Sequence, residues 1–444
     1  MGRPSKIRRL DVWMNGELTG NWTLTSSGEH IFTYDPAWLD SKFARPISIS
    51  MPLRPPDAPY RGPGVEAFFD NLIPDSPEIR RRFQSRFGTP TPKAFDLLAE
   101  LGRDCVGALQ LAPAGKHPGK TEVIHADPLK DADVAAALRA TLSAPLPGQT
   151  SPDDFRISLA GSQEKTAFLK LKGKWHRPKG ATATSHIFKL PMSARVGKEQ
   201  LDLSTSVENE WLCSRIVGAF GIPVAACEAA VFEDQRVLIV ERFDRRWSPD
   251  KSWLMRLPQE DICQAMGVPL GRKYEAGGAP GIPEILRFLL GSRRSLADRR
   301  LFLKSQVLFW MLCAVDGHAR NFSIFIGRGG AYGLTPLYDV LSAYPILGHG
   351  KNRLAPEKAK MAMAVKGRGK HYLWERMTRE HWKETARIGG LETEMEGILS
   401  ELIEGAVQAE AAATSALPPD FPASVADPIL SGLKKAALRL GRKG

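Results

Sequence analysis

Asp316-Gly317-His318-Ala319-Arg320-Asn321, followed downstream by Leu337-Tyr338-Asp339, is the stretch that decides how this chain reads. An Asp, an Asn five positions on and a second Asp soon after is the order in which phosphoryl-transfer sites lay out a base and two metal ligands. No other Asn in the chain has an Asp five positions before it. The surroundings fit that use. An apolar helix predicted over 296–315 stops at Asp316-Gly317, and Asn321 opens the strand-like Phe322-Ser323-Ile324-Phe325-Ile326. A Gly-rich turn at 327–330 returns the chain through Tyr332 to Leu334 and on to Asp339, so one hairpin can bring the two acids together. Asp316 is then the candidate for orienting or deprotonating an acceptor hydroxyl. Asn321 and Asp339 are the candidates for holding the divalent metal ions that bridge phosphates.

Further upstream, Ser158-Leu159-Ala160-Gly161-Ser162-Gln163-Glu164-Lys165-Thr166 lies between two predicted strands, Phe155-Arg156-Ile157 and 167–171. Its small residues would let backbone N–H groups approach phosphate oxygens. It is neither G-x-G-x-x-G nor a Walker A sequence, and by itself it also reads as a plain hairpin loop. Lys189 sits inside the apolar strand Ile187-Phe188-Lys189, where an ammonium is costly unless paired. A phosphate, and Glu210 ahead of Glu208 on the next helix, would supply the pairing. That helix is predicted over 205–220, with Thr205 and Glu208 at capping-box spacing and Gly221 as its stop. His318 follows Asp316, whereas ordinary protein kinases carry a His two positions before the Asp. That excludes a standard eukaryotic kinase, and His318 reads as a neutral imidazole hydrogen-bonded within its loop.

The N-terminal part reads as strands over 9–35 around an Asn15-Gly16 hairpin turn. Helices follow at 64–73, 76–87 and 93–101, then a strand at 106–111. Pro/Gly-rich breaks flank a short Ala-rich helix at 131–142. Val237 to Val240 is a further apolar strand. Beyond 258 the chain is mostly helical, notably over 282–291, and an Ala/Pro-rich tail at 411–422 is expected to wrap the surface before a last basic helix at 424–441. The division is thus an N-terminal domain over 1–112, a linker with a short helix over 113–153, an N-lobe core over 154–257, a helical C-lobe with the catalytic and metal loops over 258–410, and a tail over 411–444.

A chain of 444 residues is too long for one ordinary core. Five cysteines without a C-x-x-C argue against a disulfide framework or a zinc site and suit a reducing compartment. The N-terminus does not read as a signal peptide, and the longest apolar run, Val307 to Val315, is far short of a membrane span. A cytoplasmic protein without membrane contact is expected. The net charge of +12 favours anionic partners such as nucleotide, nucleic acid or an acidic protein. The strongest basic cluster, Lys351, Arg353, Lys358, Lys360, Lys366, Arg368 and Lys370, suits DNA, an acidic substrate or plain solvent.

Four motifs now resemble a known family. Residues 155–167, His186-Ile187-Phe188-Lys189-Leu190-Pro191, Val240-Glu241-Arg242-Phe243-Asp244-Arg245-Arg246 and Asp316 to Asn321 are similar to the HipA serine/threonine kinase toxins. Phe68-Phe69-Asp70-Asn71-Leu72-Ile73-Pro74-Asp75-Ser76 and Phe95-Asp96-Leu97-Leu98 resemble that family's N-terminal domain, so the likeness covers nearly the whole chain. It implies an α+β fold: a bilobal, kinase-like body with an additional N-terminal α/β domain and a mainly helical C-lobe. It implies ATP and Mg2+ as cofactors and a HipB-like helix-turn-helix antitoxin dimer as partner, with operator DNA bound mainly through the antitoxin. An aminoacyl-tRNA synthetase, glutamyl-tRNA synthetase in the best-known case, is the implied substrate, and its phosphorylation halts translation and favours dormancy.

By position, Asp316 matches the family's catalytic Asp, Asn321 and Asp339 its metal ligands and Lys189 its phosphate-binding Lys. Leu159, Ala160, Gly161, Ser162, Gln163, Glu164 and Lys165 match the phosphate loop. Leu159 and Ser162 depart mildly from the family's pattern. Glu241 and Phe243 match the hinge that holds adenine, and His318 and Asn321 join the nucleotide-site residues. Ser158 matches the autophosphorylated serine. A phosphate there adds about −1.5 to −2 charge to a loop meant for ATP's own phosphates, which should expel it and switch the enzyme off. Two other readings compete: a catalytically weak co-repressor acting with a DNA-binding antitoxin, and a small-molecule phosphotransferase.

Overall fold

The computed structural model describes residues 7–142, 159–161, 163–192 and 201–442. The expected strand Phe155-Arg156-Ile157, Ser158 and Ser162 lie outside the described residues.

The N-terminal domain is a five-stranded antiparallel sheet in the order Tyr60–Arg61, His30–Tyr34, Glu17–Leu24, Arg8–Met14, Leu109–Pro113. Its first turn needs positive φ at both central residues, and Asn15 (47°) and Gly16 (90°) supply it. Helices Pro63–Asp70, Pro77–Phe87 and Ala94–Leu101 accompany the sheet, and its core is aromatic: Trp22 stacks on Phe69 at 4.1 Å, with Phe32 and Phe95 beside it. The last strand begins at Leu109 rather than at 106, because the chain turns at Gly107 (φ 74°).

A second sheet of six strands runs Cys227–Phe232, Gln235–Glu241, His186–Lys189, Lys165–Leu171, Lys174–Pro178, Ala126–Pro128. Its last member corrects the reading of 113–153 as a linker. Ala126–Pro128 pairs with Lys174–Pro178, and the helix Asp131–Leu142 buries Val134, Ala135 and Leu138 in one cluster with Phe168, Phe188 and Ile239. The short apolar stripe of that helix therefore belongs to the N-lobe. Helix Ser206–Ala219 packs against Cys227–Phe232 and Gln235–Glu241. Its expected capping box is not made: the Thr205 side chain bonds no helix N–H, and Glu208 pairs with Arg236 at 2.9 Å.

The C-lobe centres on helix Ser295–Met311, which is polar at its start, buried all round from Ser305 onward, and contributes Phe302, Leu303, Val307, Leu308, Phe309 and Trp310 to the core. It ends four residues before the expected 315, because Cys313 turns the chain at φ 49°. Gly317 then passes under Phe309, where any Cβ would overlap the ring. A three-stranded sheet, Gln259–Asp261, Ser323–Ile326 and Tyr332–Leu334, forms the predicted hairpin and carries the chain on to Asp339. The tail is helical over 411–415 and irregular only over 416–422, and the expected last helix follows at Ala423–Gly441. Glu392–Ser415 is one helix through its Ala-rich end, since Ala is the best helix former, and Pro418-Pro419 stops it before Ala423–Gly441. No helix among the described residues is long and apolar enough to cross a membrane.

Candidate active site

The loop after helix Ser295–Met311 is tied to itself. His318 N–H donates to Asp316 O at 2.7 Å, Asn321 N–H to His318 O at 2.9 Å, and Asn321 Nδ2 to Asp316 O at 2.9 Å. Binding the amide nitrogen this way turns Asn321 Oδ1 to the remaining side as an oxygen donor. The Asp316 carboxylate accepts a 2.6 Å bond from the Tyr274 hydroxyl. His318 corrects one expectation: its Nδ1 is buried without a hydrogen-bond partner among the described residues, and the ring instead meets the edge of Tyr274 at 5.2 Å. Burial lowers its pKa, with Lys273 and Arg320 adding to that against the pull of Asp316 and Asp339, which keeps the imidazole neutral.

Lys189, at the end of strand His186–Lys189, places Nζ 2.6 Å from Glu210 Oε1 and 3.0 Å from Asp339 Oδ1. Glu210 is thus the partner on the following helix and Glu208 is not. Burial works against the Lys189 charge, but Asp339 and Glu210 outweigh it and hold the ammonium above its usual range. For Asp339 burial pushes the carboxyl up, yet Lys189 and Lys165 outweigh that and bring it to about 2. Asp339 has φ 60°, a strained value for a non-Gly residue that turns its carboxylate back into the cleft.

Lys165 begins strand Lys165–Leu171, and its Nζ donates to Ala160 O at 2.6 Å, curling the loop over itself. Burial and then the neighbouring Lys189 lower it to about 8. Gly161 takes φ 107°, and a Cβ there would approach Lys165 Nζ to 2.7 Å. Gln163 Nε2 donates to Leu190 O at 2.6 Å, and Glu164 pairs with Arg82 of the N-terminal domain.

A cavity of about 160 Å³ runs from the hinge to this cluster, lined by Glu241 and Phe243 at one end and by Lys189, His318, Asn321 and Asp339 at the other. Leu159, Ile187 and Val106 form a small apolar cluster on its wall. A second cavity of about 340 Å³ meets the first at Lys165, Lys273, Asp316 and Asp339. Phe243 is fixed by ring contacts with Phe325 (5.9 Å) and Tyr338 (5.7 Å). Behind the hinge, Arg242, Arg245 and Arg256 converge on Asp104 and Asp244 in a network with every side chain at most 5% exposed. Asp104 comes from the N-terminal domain, so this network joins that domain to the hinge.

The donor set suits a hard cation. Asp339 carboxylate and Asn321 amide oxygen are oxygen ligands, and Mg2+ is commonly held by one or two such groups together with substrate phosphates. The described residues hold no cluster of three His, Cys, Asp or Glu that would bind a metal without phosphate.

Tyr274, Lys273, Asp75 and Val106 line this cleft without having been singled out as site residues, because nothing in their spacing marks them. Two members of the basic cluster are paired within the fold: the largely buried Lys366 and the half-exposed Lys370 lie 3.1 and 2.9 Å from the buried Glu275.

Residues 157–410 match the family described as HipA-like C-terminal domain, and residues 10–112 match HipA N-terminal domain. The chain is 32% identical over 391 residues to Y4mE of Sinorhizobium fredii, whose name describes it as a kinase, covering 87% of this chain and 86% of that one. It is 26% identical over 345 residues to the serine/threonine-protein kinase toxin HipA of Shewanella oneidensis, covering 74% and 73%. The fold is also that of the solved Shewanella oneidensis HipA, HipB and operator DNA complex (TM-score 0.78, 21% identity, 97% of each chain). Both domains, in family order, are present, and the chain belongs to the HipA family, with a kinase-like α+β fold preceded by the family's N-terminal domain.

Proposed function

We propose that this protein is an ATP- and Mg2+-dependent serine/threonine-protein kinase acting as the toxin of a HipBA-type module. The observation that carries this reading is the meeting of Lys189, Asp339, Asn321 and Asp316 on one cavity that begins at the hinge. Adenine would lie between Glu241 and Phe243 under Leu159 and Ile187. Glu241 N–H is committed to Ala226 O, so the ring meets Glu241 through its carbonyl side. Lys189, Lys165 and the N–H groups of 159–165 hold the phosphates. Bound Mg2+ supplies charge neutralisation on the transferring phosphoryl group. Asp339 and Asn321 are the residues that would hold it. Asp316 orients the acceptor hydroxyl and takes its proton.

The finer parts of the proposal follow the family. A HipB-like antitoxin dimer is the partner, with operator DNA reached mainly through it. The acceptor is a serine of an aminoacyl-tRNA synthetase, with glutamyl-tRNA synthetase the first candidate, and Ser158 is the autophosphorylation site. The test is to incubate the protein with Mg2+, γ-labelled ATP and purified aminoacyl-tRNA synthetases, then map the label. Transfer to a synthetase serine and to Ser158 is expected. Label on neither, with transfer to an aminoglycoside or sugar instead, would replace this reading by a small-molecule phosphotransferase.

A further inference from the structure

Residues 71–75 of the N-terminal domain reach into the cleft, and nothing in the transfer scheme above uses them. Asp75 is held there on two sides. Its backbone N–H donates to Gly161 O at 3.0 Å, and Pro74 bridges Gly161 in parallel. Its carboxylate accepts from Arg320 Nη1 at 2.6 Å and lies 3.6 Å from Lys273 Nζ. Arg320 also donates to Asn71 O at 3.4 Å and lies 3.6 Å from Asp261 Oδ2.

We infer that Asp75 is a positioning residue of the transfer site, tying the phosphate loop at Gly161 to the catalytic loop at Arg320. The N-terminal domain thereby becomes a working part of the kinase. The inference rests on the kinase reading. Its physical basis is that the two loops belong to different lobes: Gly161 precedes the N-lobe strand Lys165–Leu171, and Arg320 adjoins Asn321 in the C-lobe. Donor phosphate and acceptor base must keep register across the cleft, and a displacement of about 1 Å costs on the order of a hundredfold in rate. Asp75 touches both loops through different atoms, its main chain for one and its carboxylate for the other.

Docking of the domain does not depend on this residue. Arg80 holds Asp70 through two 2.8 Å bonds and also binds Pro74 O, which anchors the segment from within its own domain. The Asp104 network and the bond from Ile49 N–H to Glu260 at 2.7 Å fasten the domain elsewhere. The Asp75 carboxylate is therefore spent on the catalytic loop.

Asp75→Asn separates the two halves of the contact, because it keeps the N–H to Gly161 and loses the charge that binds Arg320. The measurement is kcat and KM for ATP of the full chain, with γ-labelled ATP, Mg2+ and a mixed Ser/Thr peptide library. Expected is a kcat at least about tenfold lower, with KM for ATP within about threefold and the melting temperature nearly unchanged. Asp75→Glu, which keeps the charge, should recover a large part of kcat. Asp75→Asn combined with Arg320→Lys should lose little beyond the worse single variant, since both break one link. A kcat for Asp75→Asn within about twofold of wild type overturns the inference, as do losses that simply multiply. If Asp75→Asn folds poorly, failure of Asp75→Glu to retain transfer above Arg320→Lys overturns it. Wild-type transfer that does not depend on Asp316 would instead remove the kinase reading, and this inference with it.

Discussion

The hydroxyl of Tyr274 donates a 2.6 Å hydrogen bond to Asp316 Oδ1, so the candidate base already holds an O–H where an acceptor hydroxyl would bind. Burial and Asp316 itself raise the phenol's pKa, which keeps the proton on Tyr274.

Tyr274→Phe should therefore lower KM for the acceptor. A hydrogen bond to a charged group at a partly exposed site contributes about 1 kcal/mol, or roughly a fivefold change. KM for ATP should stay unchanged, since Tyr274 borders the second cavity and not the one that begins at the hinge. Steady-state kinetics with a peptide acceptor check this, and a raised acceptor KM would mean that Tyr274 assists binding.

Lys189→Met should abolish activity and destabilise the fold, for separable reasons. It removes the phosphate cation, and it strands Glu210, whose side chain is only 4% exposed. Breaking a buried pair costs about 3–5 kcal/mol. Adding Glu210→Gln should restore much of the stability and none of the activity, as read by urea unfolding and phosphoryl transfer. Equal stability of the single and double variants would show that Glu210 is not the partner that matters.

What was legible in the sequence was local spacing whose chemistry forces a geometry. Asp316, Asn321 and Asp339 were readable because a hairpin, Ser323–Ile326 with Tyr332–Leu334, carries the chain from the first two back to the third. Lys189 with Glu210 was readable because an ammonium in an apolar strand demands a carboxylate nearby. Tyr274 and Asp75 were not, because they meet Asp316 and Arg320 across separations of 42 and 245 residues that leave no periodic trace. Thr205 and Glu208 had capping-box spacing, but Arg236 from a neighbouring strand took Glu208 instead. That Ala126–Pro128 belongs to the N-lobe sheet leaves no local trace, because its partner, Lys174–Pro178, lies well along the chain.

Glu260 ties stability to pH. Burial pushes its carboxyl up to about 8, while Oε1 accepts the Ile49 N–H and Oε2 is buried without a partner among the described residues. A carboxyl raised in the folded state stabilises fully below its unfolded pKa of about 4.3, and that contribution is lost as pH rises toward and through about 8. Glu260→Gln stays neutral and keeps an oxygen for Ile49. Wild type should lose stability relative to this variant between about pH 5 and 8.5, at no more than about 1.4 kcal/mol per pH unit. A difference that does not change with pH would contradict the assignment.

Asp104→Asn should cost about 3 kcal/mol or more, because the buried Arg256 would lose its carboxylate partner and Arg242 and Arg245 would be left with Asp244 alone. Asp127→Asn, which breaks the exposed pair with Lys179 at 2.7 Å, should cost less than about 1 kcal/mol. Denaturant unfolding of the two variants side by side decides whether the network behind the hinge holds the N-terminal domain in place. Similar small losses would argue that it does not.

The central claim is that Asp316 serves phosphoryl transfer from ATP, and label transfer from γ-labelled ATP with Mg2+ by wild type and Asp316→Asn tests it most directly. Both proteins should fold alike and bind nucleotide with similar affinity. Wild type should incorporate label, and the variant should lose at least about a hundredfold in rate. Equal incorporation by the two proteins would contradict the account.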